Sequence, residues 1–246
     1  MALKKDMFAR TIENSETQLH VRCLWFIAFL FSAVIFSAVP QIDIVVSSLF
    51  YWDGGFIGSR SAILEAVRQV IWTTASGVGL FALVGLLVAV LRGSFLGSSY
   101  QIWNIIVAVY ILGPGVMANL LLKSYWGRAR PVNVMEFGGS ADFTPALFAT
   151  DACASNCSFV SGEASGATAA TVAIWLFSAP IPTLWLRSCV RCFAIAIAVV
   201  GSGLRVVAGR HFMSDVVFAV LIVTGLAVFL LWYRGIAAKE NASAQM

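Results

Sequence analysis

Three short stretches carry residue types that can do chemistry together. "KSYWGRARP" holds Lys123, Arg128, Arg130 and Pro131; "SFVSGEASG" holds Ser161, Gly162 and Glu163; "GLRVVAGRHFMSD" holds Arg205, Arg210, His211 and Asp215. Lys123, Arg130 and Arg205 stand at or near the ends of apolar runs. Cations gathered there repel one another unless an anion joins them. Phosphate suits that role, because arginine offers a planar fork to its oxygens and lysine a point charge. Ser161 and Gly162 are small and open an apolar run, where free backbone N–H groups and the helix dipole favour an anion further. His211 and Asp215 are four residues apart, on one helical face. That spacing lets the carboxylate hold the imidazole, and a held histidine is a general base or a nucleophile.

The elements that must position these residues are membrane spans. Of the 246 residues, 60% are hydrophobic and only 11% charged, against about 25% charged in an average soluble chain. The chain is read as an all-α integral membrane protein with one bundle of six transmembrane helices. Charge-free runs predict spans at 23–42, 69–91, 102–122, 164–186, 192–204 and 216–233. The fourth is interrupted late by Pro180 and Pro182. The fifth reaches membrane length only if Arg187 and Arg191 snorkel and Arg205 faces protein. The domain reading is an N-terminal cytoplasmic segment 1–20, a six-span domain 21–233 and a cytoplasmic tail 234–246. The polar stretch 1–20 is not read as a cleavable signal, so the first span is expected to stay as an anchor. Apolar and charged residues mix from Ala62 to Trp72, which predicts an interfacial amphipathic helix in the first outer loop.

Six spans put the three stretches on one membrane face. Nine lysines and arginines then lie on the side of the termini and seven on the other; five of the seven belong to the stretches above. Setting those five aside leaves nine against two, which puts both termini in the cytoplasm. Plainer readings exist for each residue. Arg128 and Arg210 are expected as snorkelling anchors, a His–Asp pair can be structural, and Ser161, Gly162, Gly166 and Ala170 form a small-residue face suited to helix packing. Convergence on one face favours chemistry over these readings. No basic run suggests nucleic acid, and no metal cage is evident. Cys189 and Cys192 lack a second ligand pair, while Cys153 and Cys157 would be free to pair in an oxidising compartment.

In order and spacing the stretches resemble the type 2 phosphatidic acid phosphatase family. Lys123, six residues, then Arg130-Pro131 matches the family's first signature; Arg205, five residues, His211, three residues, Asp215 matches the third. Ser161-Gly162 matches the core of the second, whose usual form is Pro-Ser-Gly-His; here Val160 and Glu163 flank it. Leu204 stands where the third usually has serine. The resemblance implies that His211 attacks phosphorus and forms a phosphohistidine, with Asp215 orienting it. It implies that Lys123, Arg130, Arg205, Ser161 and the N–H of Gly162 hold the phosphoryl oxygens, with no metal or other cofactor. The family's second-motif histidine protonates the leaving oxygen. Glu163 is then a general acid, or a partner that positions an arginine, or the mark of an impaired site.

An active site at the outer ends of spans suits a membrane-embedded lipid phosphate. The approach "LGPGVMANLLLKSYWGRARP" and "NCSFVSGEASG" look most like the lipid A phosphatase branch, with the 4′-phosphate favoured over the 1-phosphate. Phosphatidate, phosphatidylglycerophosphate and undecaprenyl diphosphate are the alternative substrates, and lipid-to-lipid phosphotransfer the alternative reaction. A polytopic protein that binds a headgroup without chemistry is the non-enzymatic alternative. The expected location is the bacterial inner membrane with the site facing the periplasm.

Overall fold

Long apolar runs favour helices in a bilayer, where each backbone N–H and C=O must be satisfied within the segment. The structure is built mainly of such helices, which run through their internal glycines without a break. The computed structural model describes the backbone of residues 15–243 and the side chains of residues 16–235. The expected N-terminal segment 1–20 therefore lies outside the described residues up to position 14, as do residues 244–246 of the expected tail. Helix α1 spans Ser15–Ala38, α2 Gln41–Ser48, α3 Ala62–Arg92, α4 Tyr100–Tyr110, α5 Gly162–Ser178, α6 Leu184–Val207 and α7 Met213–Ser243. Helix α4 continues through a π-helical stretch, Ile111–Leu122, and a last α turn, Lys123–Tyr125. Within α7 no break marks the expected boundary at 234.

Among the described residues, five helices are long and apolar enough to cross a membrane: Glu16–Ala38, Ala62–Arg92, Tyr100–Tyr125, Leu184–Val207 and Met213–Gly235. The chain is a multi-pass membrane protein. Helix α5 is the exception in length. Its 17 residues rise about 26 Å at about 1.5 Å each, short of an apolar bilayer core of about 30 Å. The run predicted over 164–186 stops at Ser178 because Pro180 and Pro182 cannot continue a helix. In α6, by contrast, Arg187 and Arg191 are accommodated at the end of the span: Arg187 donates to the Ile181 carbonyl, and Arg191 lies 4.2 Å from the Trp175 ring centroid.

Residues 62–72 do not form a separate interfacial helix; they are the first three turns of α3. Ser61 caps that helix by accepting from the Leu64 N–H at 3.3 Å, and no glycine or proline interrupts residues 62–76. At 31 residues α3 is about 46 Å long, so it has turns to spare beyond the apolar core.

Helix α5 runs through the middle of the bundle and packs against α3, α4, α6 and α7. Its small residues permit that: Ala164, Ser165, Ala167, Ala169, Ala170 and Ala173 are all buried. The π-helical stretch beside it contains Pro114, which has no N–H to donate. Asn119 donates from Nδ2 to the Pro114 carbonyl at 2.7 Å, and the wider turn brings Asn119 and Lys123 against Gly162. Tyr51 and Phe56 of the first outer loop and Phe137 of the loop before α5 form an aromatic prop. Gly209, at φ +66°, lies against Phe56, where any Cβ would come within 2.2 Å of the ring. Only glycine fits that position, and it sets the path of the turn carrying His211.

Candidate active site

His211 lies in the short connection between α6 and α7 and is 1% exposed. Its Nδ1 is 2.7 Å from the Ser158 carbonyl oxygen. A carbonyl only accepts, so Nδ1 carries the proton and Nε2 keeps its lone pair. Burial pushes the imidazole down to about 4, so the ring is neutral at neutral pH. A neutral imidazole with a fixed tautomer and a free Nε2 is a competent nucleophile.

Asp215 Oδ2 stands 3.8 Å from His211 Nδ1, too far to share that proton. The carboxylate still faces the ring at ion-pair range, and it also holds the histidine through its neighbours. Its Oδ2 accepts from the Phe212 N–H at 2.8 Å and from the Ser158 hydroxyl. It thus fixes both the residue after the histidine and the residue whose carbonyl holds the ring. The Asp215 carbonyl also accepts from the Ser161 N–H at 3.2 Å, tying the histidine turn to the start of α5.

Arg128 overturns its sequence reading most clearly. Far from snorkelling, it is 0% exposed. It forms ion pairs with Asp43 at 2.8 Å and with Asp215, donates to Thr144 O at 2.8 Å and to Ser214 Oγ at 2.9 Å, and lies 4.4 Å from the Phe212 ring centroid. Asp43 completes the network by accepting from the Ser214 N–H at 2.9 Å and from its hydroxyl. Burial raises the Asp43 carboxyl above its ordinary value, while the charge of Arg128 opposes that shift. Sequence reasoning passed over Asp43. One signal was present: it is the sole charge between Arg22 and Asp53, and an isolated carboxylate among apolar residues marks a functional position. Arg210 is exposed.

The second half of the site gathers cations. Lys123, Arg130 and Arg205 lie within range of one another's charge. Asn156 links two of them: its side-chain oxygen is 3.4 Å from Lys123 Nζ, and its carbonyl accepts from Arg130 Nη2 at 2.7 Å and Nε at 3.2 Å. Burial, and then the charge of Arg210, hold the Arg130 guanidinium below its ordinary value. Asn156 sits inside a loop closed by a disulfide between Cys153 and Cys157, which settles the pairing left open by the sequence. Cys23, Cys189 and Cys192 are free.

Gly162 opens α5 between these groups. A Cβ there would approach Asn119 Oδ1 to 2.6 Å and Lys123 Nζ to 3.3 Å. Ser161 is the N-cap, its hydroxyl accepting from the Ala164 N–H at 3.3 Å, and the remaining first-turn N–H groups have no acceptor within the helix. Arg205 Nε is buried, and no group among the described residues accepts from it. A buried guanidinium N–H without an acceptor, beside a helix N-terminus and two more cations, fits a phosphoryl group. Glu163 lies in the first turn of α5 with its Oε1 2.9 Å from Arg68 Nη1 and 3.5 Å from Arg205 Nη1. The structure thus brings all eight sequence-derived residues to one end of the bundle and adds Asp43, Arg68, Arg128, Asn156 and Ser158.

A buried neutral histidine facing a cluster of phosphate-suited cations, within a bundle of membrane helices, defines a phosphoryl-transfer site in an integral membrane protein. The chain belongs to the PAP2 superfamily, whose sequence pattern matches residues 102–239, and is a membrane phosphoric monoester hydrolase of that family. It is 34% identical over 217 residues to the lipid A 4′-phosphatase of Francisella tularensis subsp. novicida (strain U112), covering 83% of this chain and 92% of that protein. It is 31% identical over 212 residues to the lipid A 4′-phosphatase of Rhizobium leguminosarum, covering 79% and 87%. The fold is similar to the crystal structure of a transmembrane PAP2-type phosphatidylglycerolphosphate phosphatase from Bacillus subtilis. The TM-score is 0.55 at 21% identity, with 88% of this chain and 96% of that chain covered.

Proposed function

We propose that this enzyme removes the 4′-phosphate from lipid A through a phosphohistidine on His211. The observation that carries the mechanism is the buried imidazole whose Nδ1 is committed to the Ser158 carbonyl at 2.7 Å. The substrate reading is supported by likeness to lipid A 4′-phosphatases along most of the chain. In the reaction, His211 Nε2 attacks phosphorus, the bond from phosphorus to the sugar oxygen breaks, and that oxygen takes a proton. Water then attacks the phosphohistidine and releases phosphate. Lys123, Arg130, Arg205 and the N–H groups opening α5 hold the equatorial oxygens, where charge stabilisation supplies most of the catalysis. Ser161 serves mainly as the cap that orients those groups.

Glu163 acts as a positioning residue. Its carboxylate pairs with Arg68 and faces Arg205, an arrangement suited to aiming a guanidinium. Water at the open mouth then supplies the leaving-group proton. In this reading α5 adds a short, central crossing to the five longer ones, making six. Both termini face the cytoplasm of a bacterial inner membrane, and the site faces the periplasm. That location agrees with a disulfide beside the site.

Mass spectrometry of membrane lipids from cells with and without the enzyme tests the substrate. The expected result is lipid A lacking its 4′-phosphate only when the enzyme is present. An unchanged lipid A profile with altered phosphatidate, phosphatidylglycerophosphate or prenyl phosphates would overturn it.

A further inference from the structure

We infer that Arg68 is a positioning residue of the phosphate site, whose task is to hold and neutralise Glu163 so that the carboxylate lies beside Arg205 and orients it without capturing it. The inference rests on the phosphatase reading above. Arg68 belongs to α3, outside the residues matched by the family pattern, and reaches the site across 95 positions of sequence. Its fork is fully directed. Nη1 donates to Glu163 Oε1 at 2.9 Å, Nε donates to Glu65 Oε2 at 2.8 Å, and Nη2 donates to Glu65 Oε1 and to Gln69 Oε1. Glu65 and Gln69 lie on the same helix, one turn before Arg68 and one residue after it, so the guanidinium is held from its own side and presented to α5.

The physical need for such a clamp follows from charge. A carboxylate in the first turn of α5 shares the helix N-terminus with an incoming phosphate and repels it. It also offers Arg205 an alternative anion, and the 3.5 Å separation of Arg205 Nη1 from Glu163 Oε1 shows how near that alternative lies. Arg68 contacts the same oxygen at the shorter distance of 2.9 Å. Glu65, the other anionic partner of Arg68, is 58% exposed at its side chain and screened by solvent. At the sheltered end Arg68 therefore balances Glu163 and leaves the charge of Lys123, Arg130 and Arg205 for the phosphoryl group. A site with histidine in place of Glu163 would not require this cation; a site with glutamate does. Arg68 is 16% exposed at its side chain, so solvent does not screen the pair fully.

The test is a comparison of Arg68→Met, Glu163→Gln and the double variant, purified in detergent and assayed for phosphate release from lipid A. Arg68→Met should lower kcat/KM by roughly 10-fold or more, with KM for lipid A and Ki for inorganic phosphate both rising. Adding Glu163→Gln should then restore activity to within roughly 3-fold of Glu163→Gln alone, because an uncharged amide in place of the carboxylate no longer competes for Arg205. A merely structural role predicts the reverse, losses that add. Arg68→Met within roughly 2-fold of wild type, or a double variant as impaired as the product of the singles, would overturn the inference. If Arg68→Met does not fold, Arg68→Gln carries the same comparison, since glutamine removes the charge while keeping a polar group toward Glu163. Wild-type enzyme inactive on every phosphorylated lipid would instead refute the phosphatase reading, independently of Arg68.

Discussion

Replacing Arg128 by Met is the perturbation whose outcome separates a structural keystone from a surface anchor. Arg128 is wholly buried and bridges Asp43 and Asp215. Removing one partner of a buried ion pair costs about 3–5 kcal/mol, because the remaining charge is stranded. Here two carboxylates would be stranded together, so a loss of at least about 3 kcal/mol is expected. The effect should reach chemistry too, since Asp215 loses the partner that fixes its orientation toward Ser158 and Phe212. Equilibrium unfolding in mixed micelles gives the stability, and phosphate release gives the activity. Adding Asp43→Asn to Arg128→Met removes one stranded charge and should recover part of the stability. If Arg128→Met unfolds within about 1 kcal/mol of the wild type, as for an exposed cation, the reasoning fails.

Three further outcomes are expected. His211 has a folded value of about 4, below its ordinary 6.5, so the unfolded chain binds more protons between those values and stability falls as pH falls through that window. Wild type should therefore lose stability relative to His211→Asn from pH 6.5 to pH 4 and keep a constant offset above it; a constant offset throughout would contradict the buried neutral ring. Reducing the Cys153–Cys157 disulfide frees the loop whose Asn156 holds Lys123 and Arg130, so reductant should raise KM several-fold, and an unchanged KM at full reduction, checked by thiol labelling, would refute that link. Gly162→Ala puts a methyl group 2.6 Å from Asn119 Oδ1; kcat/KM should fall by roughly 10-fold or more with the protein still folded, and normal turnover would show that this approach is not part of the site.

Much of the site was legible because its groups sit in local patterns. Lys123 and Arg130, Ser161 and Gly162, and His211 and Asp215 each carry their spacing within one stretch. What was not legible depends on contacts across the chain. Arg128 and Arg130 are two residues apart in one short stretch, yet one is buried against Asp43, 85 positions away, and the other faces Asn156. Arg68 reads as part of an amphipathic helix until its partner on α5 is seen. The π-helical stretch left only Pro114 and its flanking glycines as a trace. Hydropathy found the helices but misjudged several ends, among them the first span, predicted to 42 and ended at Ala38, and the fifth, predicted from 192 and begun at Leu184. A run of apolar residues continues past Ser178 in composition while its prolines stop the helix, and α3 begins before the apolar run does, since polar residues suit a helix that extends beyond the bilayer core.

The most direct test of the account is to quench the enzyme during turnover of lipid A labelled on its 4′-phosphate and to locate the label by mass spectrometry under conditions that preserve phosphohistidine. The predicted result is an acid-labile adduct on the peptide containing His211, absent in His211→Ala, which releases no phosphate. Label on any other residue, or phosphate release persisting in His211→Ala, would contradict it.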